Sequence, residues 1–316
     1  MQLGIKTRAR TIWGTHDLIS NRMALLNEWN LSEINVDMTG ETCLITGGNS
    51  GIGKATALGL ARMGANVVIV SRSKEKGEAA LTEIIAKSGN RNVELMLADM
   101  SSQDSIRRLA SDFKARHERL HLLVNNAGVY LTRRTTTVDG FESTFAISHL
   151  GPFLLTSLLL DLLKASAPSR IVNVSSDAHN GAKVNFEDLQ GEKKFSGWQA
   201  YGQSKLAMIL FTHELATKLE GTGVTVNSAH PGVVRTNFAN NNGLVTFGFR
   251  LMRPFFISPT TAAKRILYVA TSPDLDGVNG KYFAKMHEVR SSRESYEDES
   301  AKRLWQISEQ LTKLSV

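Results

Sequence analysis

The chain has 316 residues, 42% hydrophobic and 21% charged, with a formal net charge of +7; this suffices for a packed core and fits two domains or one α/β domain with extensions. The basic balance permits an anionic partner, but the 37 lysines and arginines are dispersed rather than clustered with aromatics, which argues against nucleic acid. The single cysteine, Cys43, excludes an internal disulfide and fits a reducing compartment.

Residues 1–40 read as an N-terminal extension, basic and without an acid before Asp17. It faintly resembles an organelle transit segment but lacks the amphipathic Arg/Ser pattern. Residues 42–61, TCLITGGNSGIGKATALGLA, read as strand, phosphate loop and helix. Cys43, Leu44 and Ile45 have the continuous apolar character of a strand covered on both faces, and Gly53, Ala57, Leu60, Ala61 and Gly64 share one helical stripe. Gly47, Gly51 and Gly53 remove side chains where the backbone turns, where a pyrophosphate approaches and where helix meets strand. With Asn49, Ser50 and Ile52 they form a loop whose free N–H groups and helix dipole face an anion.

The pattern then repeats. Apolar runs at 65–70, 93–98, 120–124, 170–174 and 224–229 alternate with helical stretches at 74–87, 102–116, 141–165 and 200–220. This predicts an α/β protein: a doubly wound Rossmann fold with a single mostly parallel sheet of about seven strands and helices on both faces. In such sheets the ligand crevice lies beyond the carboxyl ends of the strands. Polar and glycine residues stand at those ends: Ser71-Arg72, Asp99-Met100, Asn125-Asn126-Ala127-Gly128, Ser175-Ser176 and Pro231-Gly232. The apolar run at 151–163 is too short for a membrane span and is broken by Asp161, so no integral membrane segment is expected. It suits a buried helix or one that pairs subunits in a homo-oligomer.

Tyr201 and Lys205 lie four residues apart, on one face of the predicted helix after Ser175-Ser176. A phenol ordinarily titrates near 10, too high for exchange at neutral pH, and a neighbouring cation favours phenolate. Ser176 can hold a substrate oxygen beside that hydroxyl, with Ser175 as the adjacent alternative.

Together, TGGNSGIG (46–53), NNAG (125–128), the strand-end serine, YGQSK (201–205) and HPGVVRT (230–236) resemble the short-chain dehydrogenase/reductase family over about residues 41–283. Residues 173–207 and AKRLWQISEQL (301–311) are similar to its retinol dehydrogenase-like branch, whose members act on retinoids and other lipid aldehydes or alcohols. The resemblance implies hydride transfer between a nicotinamide and a carbonyl or alcohol carbon. Tyr201 would be the general acid/base; Lys205 would bind the nicotinamide ribose and lower the Tyr201 pKa; Ser176 would orient the substrate oxygen. Asp99 and Met100 would flank the adenine. Asn126, Ala127 and Gly128 would line the cofactor floor, and Pro231, Gly232, Val234 and Thr236 would contact the nicotinamide end.

One position departs from the family pattern. Ser148, in SHLGPFLL, stands where the family has an asparagine whose backbone carbonyl holds a relay water. Serine keeps the carbonyl and loses the amide contacts, so slowed activity is expected, with a noncatalytic NADP-binding scaffold as the alternative. Pro152 raises a question of helix geometry.

At the end of the second strand, Arg72 beside Ser73 suits an adenosine 2′-phosphate, so the expected cofactor is NADP(H). Residues 236–259, with Phe238, Phe247, Phe249, Phe255 and Phe256, read as a lid over a small hydrophobic substrate that could touch a bilayer peripherally. The expected organisation is an extension (1–40), a cofactor-binding catalytic domain (41–290) and a C-terminal helix (291–316) that docks through Leu304, Ile307 and Leu311. The expected location is cytoplasmic, with peripheral attachment to an internal membrane or mitochondria as alternatives. A hydrolase built on Ser176, Asp177 and His179 is disfavoured, because residues 48–52 lack the last glycine of a nucleophile elbow. No metal is expected, since His149, His179, His213 and His230 show no ligand spacing.

Overall fold

A computed structural model of the chain describes residues 36–234 and 257–314. The opening strand β1 (Thr42–Thr46) is buried throughout, and its run of Cys43, Leu44 and Ile45 is covered on both faces. Helix α1 (Gly51–Arg62) follows the glycine loop and turns Gly53, Ala57, Leu60 and Ala61 inward. Strand β2 (Asn66–Ser71), helix α2 (Lys74–Ser88), strand β3 (Val93–Leu97) and helix α3 (Gln103–Arg116) come next. Ser73 and Ser102 cap the two helices, their hydroxyls accepting from Lys76 N and Ser105 N.

Strand β4 (Leu122–Asn125) leads to a 23-residue helix, α4 (Ser143–Ala165). Beyond it lie β5 (Ser169–Val174), α5 (Gly197–Lys218), β6 (Val224–His230), α6 (Pro259–Thr271), β7 (Tyr282–Ala284), β8 (His287–Glu288) and α7 (Asp298–Thr312). The sheet order is β3-β2-β1-β4-β5-β6-β7-β8. All pairs are parallel except the last, so the expected sheet gains a short antiparallel eighth strand. The order reverses between β1 and β4, which opens a crevice at their carboxyl ends.

Helix α4 is not uniform. Its residues Ala146–Leu150 form one π turn before the regular stretch Gly151–Ala165. Pro152 has no N–H to give to the carbonyl four residues back, that of Ser148, and the wide turn lies over this position. The helix has a mean hydropathy of 1.6 and is long and apolar enough to cross a membrane, which corrects the expectation that the run is too short. Its most apolar stretch is 67% buried inside the fold, with Phe153, Leu154, Leu155, Leu159 and Leu163 in the main core cluster.

Helix α7 closes this layer. Trp305 packs edge-on to Phe153 of α4 at 4.9 Å and lies 5.8 Å from Phe211 of α5. Ala301 and Leu304 are buried beside it, with Ser308 and Thr312 on the same stripe, while Ile307 is only half-buried. Leu304 and Leu311 of the expected docking face pack on a core cluster, and Trp305, half-buried like Ile307, widens that face towards Phe153 and Phe211. Side chains of α3 reach its carboxyl end, Gln103 Nε2 donating to Leu311 O at 2.9 Å and Arg107 to Thr312 O at 2.6 Å. Of the two expectations for the run at 151–163, a buried helix or one that pairs subunits, its Phe153 side fits the first, being covered by the chain's own α7.

Candidate active site

At the end of β1 the chain cannot continue straight, because Gly47 and Gly51 adopt φ of +68° and +53°. Gly53 is enforced by contact: a Cβ there would lie 2.4 Å from Gly47 O and 2.5 Å from Asn126 Nδ2. Asn126 donates from Nδ2 to Thr46 O at 2.8 Å, and Thr46 Oγ1 accepts from the N–H groups of Asn126 and Ala127, both at 3.0 Å. These bonds lash the end of β4 to the glycine loop. Asn126 thus shapes the loop with its side chain, and Thr46, buried and outside the expected set, is the anchor.

A second side of the crevice is built on α5. Gly202 lies so close to the turn after β5 that a Cβ would meet Ala178 O at 2.8 Å, and one on Gly197 would meet Leu131 O at 2.2 Å. Only bare backbone allows α5 to approach both segments, and the approach brings Tyr201 to Ser176. The two side chains share a hydrogen bond. Ser176 Oγ also accepts from Ala178 N at 3.2 Å, which leaves its proton for another oxygen. Ser175 is spent elsewhere, donating to Lys205 O at 2.9 Å. Of the two serines, Ser176 is the one whose hydroxyl meets Tyr201.

Lys205 Nζ donates to Val174 O at 2.9 Å and sits 5.6 Å from the Tyr201 ring centroid. A Cβ on Gly128 would lie 3.3 Å from this Nζ and 3.4 Å from Ser148 Oγ, so Gly128, Ser148 and Lys205 meet. Ser148 is buried, and its Oγ accepts from Val129 N at 3.4 Å. Burial lowers the Lys205 pKa to about 8. Burial also pushes the Tyr201 phenol up to about 12, against the opposing pull of the Ser176 hydrogen bond. The lowering implied by the resemblance is therefore absent in the protein alone, where removal of the phenol from water outweighs the Ser176 hydrogen bond. Tyr130 and Trp198 flank Tyr201, with ring centroids 5.8 and 6.4 Å away. Neither was singled out in the sequence; Trp198 lies ahead of the expected helix at 200–220 and joins it because the observed helix begins at Gly197.

Around the crevice, Arg72 at the end of β2 is exposed and makes no hydrogen bond or ion pair among the described residues. Asp99 Oδ1 accepts from Ser101 N and Oγ at 2.9 and 2.7 Å, and the Met100 side chain is buried in the core. Pro231 is buried, with its carbonyl accepting from Arg265 at 3.1 Å, and Val234 bridges to Ile257. Thr236 and most of the expected lid lie outside the described residues, as does most of the N-terminal extension. The histidines make protein contacts: His149 with Ser308, His179 with Ser176 O, His213 with Ser295 O and His230 with Asp177. His179 faces a backbone carbonyl rather than Ser176 Oγ, so it does not form the hydrolase base.

The glycine cradle, the lashed loop and the buried ammonium, with two donors spare among the described residues, fit a dinucleotide at the switch point. The chain matches the family model for short chain dehydrogenase over residues 41–244. It belongs to the short-chain dehydrogenase family. It is similar to retinol dehydrogenase 12 of Mus musculus, with 47% identity over 274 residues, 87% of each protein. Retinol dehydrogenase 13 of Homo sapiens is 45% identical over 282 residues, 87% of this chain and 85% of that one. Among solved structures, an uncharacterized protein from Mycobacterium paratuberculosis aligns with a TM-score of 0.74 and 34% identity, over 90% of this chain and 97% of that one. The Pseudomonas aeruginosa RhlG/NADP active-site complex aligns with a TM-score of 0.64 and 28% identity, over 78% and 95%. As a family member the chain is a nicotinamide-dependent oxidoreductase acting between CH–OH and C=O groups.

Proposed function

We infer that this short-chain dehydrogenase interconverts retinoid-like or other lipid aldehydes and alcohols with NADP(H). The observation that carries the reading is the buried Tyr201 phenol, hydrogen-bonded to Ser176 and flanked by Lys205, at the carboxyl ends of the central strands. A phenol held near 12 keeps its proton at neutral pH, which suits a donor to the carbonyl oxygen during aldehyde reduction. Ser176 directs its free proton at the same oxygen and holds the carbonyl beside Tyr201. A bound nicotinamide supplies or accepts the hydride.

Gly47, Asn49, Ser50, Gly51, Ile52 and Gly53 hold the pyrophosphate, and Asp99 and Met100 flank the adenine. Asn126, Ala127 and Gly128 form the floor, Lys205 donates to the ribose, and Pro231, Gly232, Val234 and Thr236 border the nicotinamide. Arg72, exposed and unpaired among the described residues, supports a 2′-phosphate on the adenosine, hence NADP(H). Ser148, at the usual asparagine position, keeps its backbone carbonyl for a relay water, and the missing Pro152 N–H leaves that carbonyl without its ordinary helical donor. The lipophilic class is supported by the relatives named retinol dehydrogenases and by the aromatic walls Tyr130 and Trp198. This reading makes the chain a lipid-metabolic enzyme of the cytoplasmic compartment, in peripheral contact with a membrane through residues 236–259.

The test is retinaldehyde reduction by purified protein, followed by loss of NADPH absorbance. Tyr201→Phe lowers turnover by roughly 10²–10⁴-fold, the range for loss of a general acid, and leaves NADPH affinity in place. Unchanged turnover in the variant would remove Tyr201 as the proton donor.

A further inference from the structure

Ser176 begins a tight turn, Asp177–His179, and the peptide unit that follows it is gripped at both ends. Its carbonyl accepts from His179 Nδ1 at 2.7 Å and from His179 N at 3.1 Å. Its N–H, that of Asp177, donates to His230 Nδ1 at 3.3 Å. Each imidazole has its tautomer set by its other nitrogen. His179 Nε2 accepts from Ser292 N at 3.0 Å, so its proton is on Nδ1. His230 Nε2 lies 3.1 Å from Asp177 Oδ2 and donates to it, so its Nδ1 carries a lone pair. Asp177 is fixed in turn by the Tyr282 hydroxyl, which donates to Oδ1 at 2.8 Å. Two histidines, an aspartate and a tyrosine from β6, β7 and the turn itself therefore converge on one peptide plane.

We propose that His230 and His179 clamp the Ser176–Asp177 peptide and that His230 is a positioning residue for Ser176. The proposal rests on the hydride-transfer reading above, in which Ser176 orients the substrate oxygen. Rotation of this peptide moves the Ser176 backbone and with it the hydroxyl that meets Tyr201. Protonation of His230 at Nδ1 would set a donor against the Asp177 N–H and open the clamp. The groups facing His230 are Asp177 and His179 of the turn, Lys205 of α5, Arg265 of α6 and, through Asp177, Tyr282 of β7. Burial, Arg265, His179 and Lys205 disfavour the imidazolium, Asp177 favours it, and burial leads, so His230 stays neutral until the pH falls below the usual histidine range. Turnover should therefore fall on the acid side as the clamp opens.

The experiment compares His230→Ala and His230→Asn with the wild type and Ser176→Ala, using retinaldehyde and NADPH. His230→Ala should lower kcat about tenfold, the effect of one well-placed hydrogen bond, without changing the Kd for NADPH. His230→Asn offers Oδ1 to the Asp177 N–H, so it should recover most of that loss and abolish the acid-side fall. In parallel, protein labelled at tyrosine Cζ reports the Ser176–Tyr201 bond without turnover: the Tyr201 resonance in His230→Ala should move towards its position in Ser176→Ala, and in His230→Asn it should not. A wild-type kcat and resonance in His230→Ala, or equal losses in the Ala and Asn variants, would overturn the clamp. Absence of wild-type retinaldehyde reduction would instead sink the hydride-transfer reading, and the resonance would still decide the clamp.

Discussion

Lys205 carries a charge that folding removes from water, and among the described residues no carboxylate meets it; its Nζ donates to the Val174 carbonyl. Burial lowers its pKa from 10.5 to about 8. In the unfolded chain the amine keeps its proton up to about 10.5, so between about 8 and 10.5 the unfolded state binds a proton that the folded state has released. Stability gains across that window as pH rises, and the cost of the buried ammonium is fully present below it. A gap of about 2.5 pH units at about 1.4 kcal/mol each is worth about 3.5 kcal/mol, of which about 3 is gained by pH 10.5, where the unfolded amine is half protonated.

Lys205→Met is the reference. It removes the titration, while leaving Val174 O without its donor costs about 1–3 kcal/mol at every pH. Urea unfolding of both cofactor-free proteins from pH 7 to 10.5 should show the wild type gaining about 3 kcal/mol on the variant. Tyr201, pushed up to about 12, loses stability only above its ordinary value of 10 and is common to both proteins. A difference that stays flat with pH would refute the desolvated ammonium, and a drift of opposite sign would mean that a partner stabilises the charge.

Arg72→Asp should raise the KM for NADPH by on the order of tenfold or more while barely changing that for NADH, because a carboxylate repels a 2′-phosphate; equal changes in steady-state assays would remove the cofactor assignment. Gly53→Ala would force a Cβ to 2.4 Å from Gly47 O; NADPH affinity by fluorescence titration should collapse and stability should fall by about 1–3 kcal/mol. Trp305→Ala should destabilise the fold by about 3 kcal/mol through the cavity left against Phe153 and Phe211, measured by urea unfolding, and a change under 1 kcal/mol would show that α7 docks by other contacts.

The sheet and the glycine loop were legible because their signals are local. A buried parallel strand is a continuous apolar run, and a turn needing positive φ announces itself by glycine at 47 and 51. Tyr201 and Lys205 were legible as one helix face, but the direction of their pKa values was not, since burial is a property of the assembled core. The clamp on Ser176 joins residues 53 and 105 positions apart, so no window of sequence contains it. Strand β7 has only three residues, too few for an alternation to register. Leu304 and Leu311 of the α7 docking face were legible from spacing, but the part played by Trp305 was not, because the rings it meets, Phe153 and Phe211, lie far away in sequence.

Helix α7 is made after α4 and α5, yet it covers the aromatic face that they share. During synthesis, Phe153 and Phe211 therefore remain without their lid until the last turns of α7 have left the ribosome. The sheet can pair in that interval while one side of its helical layer stays sticky. A stop codon or frameshift ahead of Trp305 would leave the residues of the crevice intact and still send the chain towards chaperones and proteases, so damage in this distant segment should register as lost protein rather than as altered chemistry.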